Sequence, residues 1–370
     1  MGVMYPNYEN CLVNLSNSIL KYYGAKTHHS TLRELDDILA KNYKNVVLVL
    51  YDGFGSSLIS RNLGTDSFLH RNKRKDITSV FPATTTAATT SVLTGLTPAE
   101  HCWLGWDTYI PSADKIVTMF LNVVKGTDEK AADYNLPQKE FAYTNIIEKI
   151  NNAGNAKAYC VSPFEGITYD VNNYDEMYEH VLELCSIDEN KFIYAYCDQP
   201  DHLMHILGTD DEKITELMKT LDYKTEEFCA KLDDTLIIVT ADHGHMTAGD
   251  SIILDDYPTL KDMLIRETSL EQRAVSFFVK TEMLDAFKQE FNRLFAEDFI
   301  LLTKQEVLDR KLFGDGIVHS QFEACLGEYL AISLSDKAIF DERSSTVFKG
   351  LHAGLMEDEV LIPFIAVEKP

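Results

Sequence analysis

The sequence predicts an α/β fold built on a mostly parallel sheet. Two very apolar segments, residues 46–51 and 235–240, are each followed by an acid, Asp52 and Asp242. Continuous apolar runs bounded by turn residues are typical of strands buried on both faces, as in a parallel sheet. Segments with helical spacing alternate with these strands, and that alternation indicates helices packed around the sheet.

The other predicted elements continue this alternation along the chain. Helices are predicted near residues 12–20, 32–39, 83–95, 144–153, 210–231 and 284–295. Further strands are predicted at 156–161, 191–197, 274–280, 298–302, 329–334 and 360–366. The stretch 61–76, rich in Arg and Lys, is expected to be a polar connection. We therefore expect one domain over residues 1–370, with room for a small inserted subdomain within 255–325.

Composition and charge narrow the class of protein. The formal net charge of −24 argues against nucleic acid and anionic membranes as partners. No apolar run approaches the roughly 20 residues that a membrane helix needs. The start of the chain lacks the pattern of a secretory signal. Seven scattered cysteines without a Cys-x-x-Cys pair are typical of reduced thiols, so we expect a cytoplasmic protein.

Acids and histidines at strand ends and turns are candidate metal ligands. Asp242 is followed by His243, and a carboxylate beside an imidazole at a strand end makes a compact pair of ligands. Asp201 and His205 are four residues apart, so on a helical turn they share one face. His352 lies in a small-residue turn. Each also has a plainer interpretation, as a helix-capping Asp, a surface His or a structural His.

A threonine-rich segment, residues 81–95, is predicted to form a short helix between Pro82 and Gly95. A hydroxyl in the first turn of such a helix has free backbone N–H groups beside it, which suits a phosphate. The plainer interpretation is that the threonines cap their own helix.

The order of these features resembles the alkaline phosphatase superfamily, and most closely its type I phosphodiesterase/nucleotide pyrophosphatase branch. An acid after the first strand, a hydroxyl at the next helix start, Asp-x-x-x-His, Asp-His-Gly and a late His-x-Gly follow one another along the chain. Phe-Pro-x-Thr-Thr leading to Thr-Gly-Leu also resembles this branch. The resemblance implies an alkaline-phosphatase-like three-layer α/β/α sandwich with a mostly parallel central sheet.

The resemblance also implies two divalent metal ions, with Zn²⁺ expected and Mn²⁺ as the alternative. The first ion is expected to be held by Asp52, Asp242 and His243, and the second by Asp201, His205 and His352. The expected nucleophile is Thr85, ten positions before Gly95, and Thr84 and Thr86 are the alternatives if that count is off by one.

The implied function is hydrolysis of phosphodiester or pyrophosphate bonds in a small phosphorylated substrate, such as a nucleotide, through a phospho-threonine intermediate. A phosphomonoesterase, a phosphonate hydrolase or a phosphotransferase could use the same site. A non-enzymatic metal-binding relative is the weaker alternative, because the ligand set is intact. The oligomeric state is left open.

The sequence departs from this branch at two positions. Relatives in the nucleotide pyrophosphatase group have His-Gly shortly after the helix, whereas this chain has His101 followed by Cys102. Where relatives have a phosphate-binding Asn, this chain has Trp106, beside Asp107. The Trp106 ring could stack on a base or pack in the core. We list Trp106, Asp107 and His319 as candidate substrate contacts, and His245 and Asp198 as candidates for a supporting role.

Overall fold

Alternating helices and strands fill the chain. The computed structural model describes residues 2–163, 169, 171, 173–343 and 348–370. The strands are β1 Asn45–Tyr51, β2 Lys73–Thr78, β3 Asp107–Ile110, β4 Lys115–Thr118, β5 Val123–Val124, β6 Lys157–Val161, β7 Lys191–Cys197, β8 Thr235–Thr240, β9 Met246–Thr247, β10 Ile252–Ile253, β11 Ser269–Leu270, β12 Ala274–Phe277, β13 Phe299–Thr303, β14 Tyr329–Ser333, β15 Ile339–Phe340, β16 Gly350–Leu351 and β17 Leu361–Lys369.

The helices are α1 Leu12–Tyr22, α2 Arg33–Leu39, α3 Ser56–Asn62, α4 Phe68–Asn72, α5 Thr85–Thr94, α6 Pro98–His101, α7 Leu136–Glu140, α8 Ile146–Ala153, α9 Tyr174–Ser186, α10 Asp201–Leu207, α11 Glu212–Cys229, α12 Pro258–Lys261, α13 Leu284–Phe295, α14 Lys304–Asp309, α15 Phe322–Cys325 and α16 Glu357–Val360. Short 3₁₀ turns occupy Leu254–Asp256 and Thr281–Met283. Among the residues described, no helix combines the length and apolar character needed to cross a membrane.

The central sheet has six strands in the order β2-β17-β8-β1-β7-β6. The four strands β8, β1, β7 and β6 run parallel to one another. At one edge β17 pairs antiparallel with β8 and β2 pairs antiparallel with β17, so β17 is the one strand of this sheet that runs in the opposite direction. Every residue of β1, β7 and β8 is buried, which explains why polar residues occur only at the ends of these strands. The predicted α/β fold with a mostly parallel central sheet is confirmed.

Two groups of helices pack beside this sheet. In one group α1 contacts α2, α5 and α8, and in the other α11 contacts α3, α4 and α10. Apolar side chains from both groups join the strands in one large core cluster.

A second sheet of seven strands runs in the order β13-β14-β12-β11-β3-β4-β5 and is antiparallel throughout. Three of the predicted strands, near 274–280, 298–302 and 329–334, belong to this sheet and not to the central one. The second sheet also takes strands from residues 107–124, so it joins parts of the chain that are far apart in sequence.

The expected polar connection at 61–76 contains more structure than the sequence indicates. It holds α4 and most of β2, which pairs with β17 at the edge of the central sheet. The first four residues of β2 alternate between half-buried and exposed positions. Charged residues are common on such edge strands because they discourage pairing with other chains.

Candidate metal and phosphoryl-transfer site

The central strands bring the predicted ligands to one edge of the sheet. β1 lies between β7 and β8, with Tyr51 paired to Cys197 and Leu50 paired to Thr240. Because the carboxyl ends of parallel strands meet at one edge, Asp52 after β1 and Asp242 after β8 lie close together there. These two acids are far apart in the sequence. A hydrogen bond from the Gly53 backbone N–H to Asp242 Oδ1, at 3.1 Å, links the two strand ends directly.

Asp52, Asp242 and His243 form the first group of candidate ligands. Their ligand atoms all lie within 4.8 Å of one another, and all three residues are buried. His243 Nε2 lies 3.2 Å from Asp52 Oδ1 and 3.5 Å from Asp242 Oδ2. The structure thus brings together the three residues that the sequence assigned to one ion.

Thr85 is the first residue of α5 and faces this group. Its Oγ1 donates to Asp52 Oδ2 at 3.3 Å and lies 3.2 Å from His243 Nε2. Thr84 is the N-cap of the helix, and its hydroxyl instead donates to Glu271. Thr86 Oγ1 is buried without a hydrogen-bond partner among the described residues. Of the three threonines, Thr85 is the one whose hydroxyl contacts candidate ligands.

The second group contains one more residue than the sequence predicted. Asp201, His205, His245 and His352 place their ligand atoms within 4.8 Å of one another. Asp201 Oδ2 lies 3.2 Å from His205 Nε2, because the two residues lie one turn apart on α10. Asp201 Oδ1 lies 3.2 Å from His245 Nε2 and 3.9 Å from His352 Nε2.

Backbone carbonyls orient three of these imidazoles. The Nδ1 atoms of His205, His243 and His352 lie 2.9 Å from Gly350 O, 2.9 Å from Gly244 O and 3.1 Å from Ala83 O, respectively. A carbonyl can only accept, so each Nδ1 carries a proton, and Nε2 is the atom left to bind a metal ion. This is the arrangement by which proteins orient metal-binding histidines.

The charges in the first group are strongly coupled. Burial and then repulsion from Asp52 raise the pKa of Asp242 well above its usual value. Burial lowers the pKa of His243, but attraction by Asp242 and Asp52 outweighs it and raises that pKa to about 10. Two buried carboxylates side by side are unfavourable unless positive charge lies between them.

The second group shows the same competition between burial and charge. Burial raises the pKa of Asp201, but the neighbouring imidazoles of His205 and His245 outweigh it and hold that pKa well below its usual value. Burial, together with the charge of His243, lowers the pKa of His352 well below the usual value for histidine. A neutral imidazole is the form that binds a metal ion.

Unpaired buried atoms make both groups suitable for cations. Asp242 Oδ2, Asp201 Oδ1 and His245 Nε2 are buried and make no well-aligned hydrogen bond in the described part of the chain, although Asp201 Oδ1 and His245 Nε2 lie 3.2 Å apart. Buried polar atoms in proteins almost always have a partner, so such a cluster needs an explanation. Carboxylates and imidazoles are the ligands that Zn²⁺ binds, and the two groups fit two divalent ions.

Two positions near the candidate ligands require glycine, because other atoms lie where a side chain would be. Gly53 has φ of +71°, and a Cβ there would lie 2.9 Å from the Cβ of Asp201. A Cβ on Gly244 would lie only 1.9 Å from Asp358 O. Ala353, directly after His352, has φ of +87° although it is not a glycine. Such strain persists where the surrounding structure enforces it, often at functional sites.

The predicted substrate contacts are more scattered. Trp106 is 39% exposed, and its ring lies edge-on to Phe120 with centroids 6.1 Å apart. Asp107 is buried and accepts a hydrogen bond from Thr118 Oγ1 at 2.5 Å. His319 packs against Phe141 and contacts neither ligand group among the contacts described. Its role as a substrate contact stays a prediction.

His245 and Asp198, the two candidates for a supporting role, lie in different environments. His245 is fully buried and belongs to the second ligand group. Asp198 is exposed, and its carbonyl accepts the N–H of His202, which is exposed as well.

The sequence did not indicate two further residues near Thr85 and Asp52. Tyr196 in β7 donates its hydroxyl hydrogen bond to Asp52 Oδ2 and so orients that carboxylate. Glu271 accepts a hydrogen bond from Thr84, next to Thr85. Tyr196 looks like any other residue of an apolar strand, and Glu271 is an isolated acid far along the chain. Neither has a local signal that spacing could reveal.

A cavity of about 740 Å³ adjoins the same helix. Thr89 and Thr90 of α5 line it, and the Thr89 hydroxyl donates to the backbone oxygen of Thr85 at 2.6 Å. Its aromatic lining consists of Trp103, Phe120, Phe141, Tyr143 and Tyr194. Polar side chains such as Asn135, Gln138 and Glu148 share the lining, so the cavity is mixed in character. Aromatic walls with polar groups between them are common in small-molecule sites.

Comparisons with solved structures show the same fold. Human ectonucleotide pyrophosphatase/phosphodiesterase 5 is similar with a TM-score of 0.67 and 18% identity, and 87% of each chain is covered. An inactive variant of the murine protein in complex with AMP is similar with a TM-score of 0.65 and 17% identity, over 87% of each chain. Phosphonoacetate hydrolase from Sinorhizobium meliloti 1021, in complex with phosphonoformate, has a TM-score of 0.64 and 17% identity, over 86% of this chain and 89% of that one.

A sequence comparison with curated proteins finds no significant match. Residues 46–294, which contain β1, Thr85 and five of the six predicted metal ligands, match the family of type I phosphodiesterases and nucleotide pyrophosphatases. This match covers more than half of the chain and agrees with the alkaline-phosphatase-like fold. The chain therefore belongs to the type I phosphodiesterase/nucleotide pyrophosphatase family.

Proposed function

We propose that this protein hydrolyses phosphodiester or pyrophosphate bonds with the help of two zinc ions, and that Thr85 is the nucleophile. The observation that carries the proposal is the position of the Thr85 hydroxyl. It lies 3.3 Å from Asp52 Oδ2 and 3.2 Å from His243 Nε2, at the amino end of a helix. A nucleophile and the groups that activate it are expected within such distances.

Asp52, Asp242 and His243 would hold one ion, and Asp201, His205 and His352 the other. Such ions supply positive charge that stabilises the oxygens of a displacement at phosphorus and lowers the pKa of a hydroxyl. Two divalent ions would also offset the three carboxylates, and so explain how a chain with a net charge of −24 accepts a phosphate.

The chain's own residues position the reaction. The Thr85 hydroxyl loses its proton, and its Oγ1 forms a bond to phosphorus while the bond from phosphorus to the leaving oxygen breaks. The leaving oxygen takes up that proton, and the chain is left as a phospho-threonine. Water then cleaves this intermediate and restores the hydroxyl. The first backbone N–H groups of α5 have no partner within the helix, and they face the negative charge that develops on the phosphoryl oxygens.

A nucleotide is the substrate class that we favour. The murine relative is seen in complex with AMP. The aromatic cavity beside Thr89 could take a base or another flat apolar group. Phosphonate hydrolysis is the second candidate, because phosphonoacetate hydrolase has a similar fold. Phosphomonoesters and transfer to an acceptor other than water use the same site and remain further alternatives. We propose a cytoplasmic location for this activity.

Replacing Thr85 by alanine tests the nucleophile. Turnover of bis-p-nitrophenyl phosphate and of a nucleotide panel should fall to background in Thr85→Ala, while metal analysis still finds two ions per chain. Thr94→Ala is a matched control, because Thr94 lies on the same helix and its hydroxyl donates to the backbone oxygen of Thr90 at 2.7 Å.

The control variant should keep the activity of the original protein. Activity that persists in Thr85→Ala would contradict the assignment. Comparison of p-nitrophenyl phosphate, phosphonoacetate and the diester separates the alternative substrate classes.

A further inference from the structure

Glu271 is a buried acid beside the nucleophile segment. It follows β11 and is 7% exposed. The Thr84 hydroxyl donates to Glu271 Oε1 at 2.6 Å, and the Trp106 N–H donates to the same oxygen at 2.7 Å. One carboxyl oxygen thus joins Thr84, the residue before Thr85, to Trp106, one of the two positions at which the sequence departs from the branch that it resembles.

The backbone that carries Glu271 is strained. Leu270, the preceding residue, has φ of +76°, a left-handed conformation that is unusual for leucine. Gly105 packs directly against it, and a Cβ on Gly105 would lie 2.9 Å from Leu270 Cα. Strain of this kind costs about 1–3 kcal/mol and persists where the fold enforces it, often at functional sites. Here the strained residue aims Glu271 at Thr84.

The second oxygen of this carboxyl group is free. Glu271 Oε2 makes no hydrogen bond with any residue that the structure describes. Both donors therefore converge on Oε1, so a proton on the carboxyl group would sit on Oε2. A protonated carboxyl group has one O–H donor, whereas an ionised one has none.

The surroundings of Glu271 favour the protonated form. Burial, with a smaller contribution from Asp107, raises the pKa of Glu271 to about 7, although the hydrogen bonds from Thr84 and Trp106 and the charge of His243 act in the opposite direction. The carboxyl group therefore changes its charge near neutral pH, where a phosphate is an anion. An ionised carboxylate beside that anion would repel it, whereas the protonated form can donate to it.

We propose that Glu271 is a phosphoryl-binding residue, which donates a hydrogen bond from Oε2 to a phosphoryl oxygen of the substrate at Thr85. This role rests on the proposed function. The protein then binds phosphate through a neutral acid. Trp106, which stands where relatives have a phosphate-binding Asn, has no side-chain amide to offer, and its backbone N–H already donates to Glu271.

Glutamine is the informative substitution. In Glu271→Gln, the amide oxygen can accept from Thr84 and Trp106, and the amide N–H₂ replaces the O–H donor at every pH. In Glu271→Ala, both functions are lost. The matched control is Glu328→Gln, because Glu328 Oε2 accepts the Val279 N–H at 2.8 Å just beyond the ends of two strands of the second sheet.

The inhibition constant of inorganic phosphate is measured from acid to alkaline pH with metal-loaded, full-length protein. At each pH the inhibition constant of Glu271→Gln is divided by that of the original protein. This ratio cancels the titration of phosphate and of the groups that both proteins share. We expect a ratio near one in acid, where both side chains can donate, and about tenfold tighter binding by Glu271→Gln at alkaline pH, where Glu271 is ionised. Glu271→Ala should bind about tenfold more weakly in acid.

A ratio that does not change with pH would overturn the proposal, and so would unchanged phosphate binding by Glu271→Ala. A purely structural role would lower thermal stability without a pH-dependent ratio, so unfolding is followed in parallel. If no ester is hydrolysed, calorimetric titration of the metal-loaded protein with phosphate still tests Glu271. The proposed function can then fail independently of this proposal.

Discussion

Replacing Glu359 by glutamine tests the ion pair that supports two segments of the candidate site. Arg273 and Glu359 are both fully buried, and Arg273 Nε and Nη2 donate to the two carboxylate oxygens at 2.7 and 2.8 Å. Glu359 also accepts the N–H groups of Gly354 and Met356, which follow His352. Its backbone oxygen accepts the Gly244 N–H at 2.7 Å.

Glutamine keeps the size of the side chain but removes its charge. In the original protein both carboxylate oxygens of Glu359 accept hydrogen bonds from N–H groups. The NH₂ group of glutamine would therefore face donors instead of acceptors. Arg273 would then be a buried charge without its partner. Removing one partner of such a pair costs about 3–5 kcal/mol, whereas replacing both with apolar groups can be nearly neutral. We expect a loss of about that size in the free energy of unfolding.

Urea unfolding of metal-loaded protein measures this loss, and metal analysis of Glu359→Gln reports whether the second ion is retained. The exposed pair Arg293–Glu290 is a matched control, since Arg293 donates to both Glu290 oxygens at 2.7 Å. Because exposed pairs contribute little, Glu290→Gln should leave stability unchanged. If Glu359→Gln costs no more than this control, the buried pair does not support the site as we argue.

Two further predictions concern the loop and the ions. Gly244→Ala should lower both activity and metal content, because the added Cβ would lie 1.9 Å from Asp358 O and force the Asp242–His243 turn to move. Metal analysis and turnover measure this effect. Full metal occupancy with normal turnover would contradict it. Removal of divalent ions with a chelator should abolish turnover and lower the unfolding temperature, since ions at a hundredfold excess over their dissociation constant stabilise by about 2.7 kcal/mol. Thermal unfolding before and after addition of Zn²⁺ measures the difference, and an unfolding temperature that is the same in both would count against two bound ions.

Local signals in the sequence were sufficient to predict the central strands and to single out candidate ligands at their ends. The interiors of β1 and β8 are continuous apolar runs because both faces are buried, and the acid after each strand is visible in the sequence. The spacing of Asp201 and His205 was enough to predict that they share one helical face, and α10 confirms it. The assignment of ligands to two ions came from a family resemblance, and the structure places the six residues in two groups that match it.

Other features depend on pairing between distant segments. The strands at β12, β13 and β14 were visible as apolar runs, but their antiparallel partners decide that they form a separate sheet. The polar β2 becomes a strand only because β17 pairs with it. The span 255–325 as a subdomain stays a prediction.

The sequence by itself determined which segments are buried strands and in what order the acids, the hydroxyl and the histidines occur. Only the tertiary structure decided that His245 joins the second group and that Glu271 reaches Thr84. The physical reason is that periodicity and spacing report contacts within a few residues, whereas Glu271 and Thr84 lie 187 residues apart. Their contact exists because the second sheet, with its strained turn at Leu270, is packed against the amino end of α5.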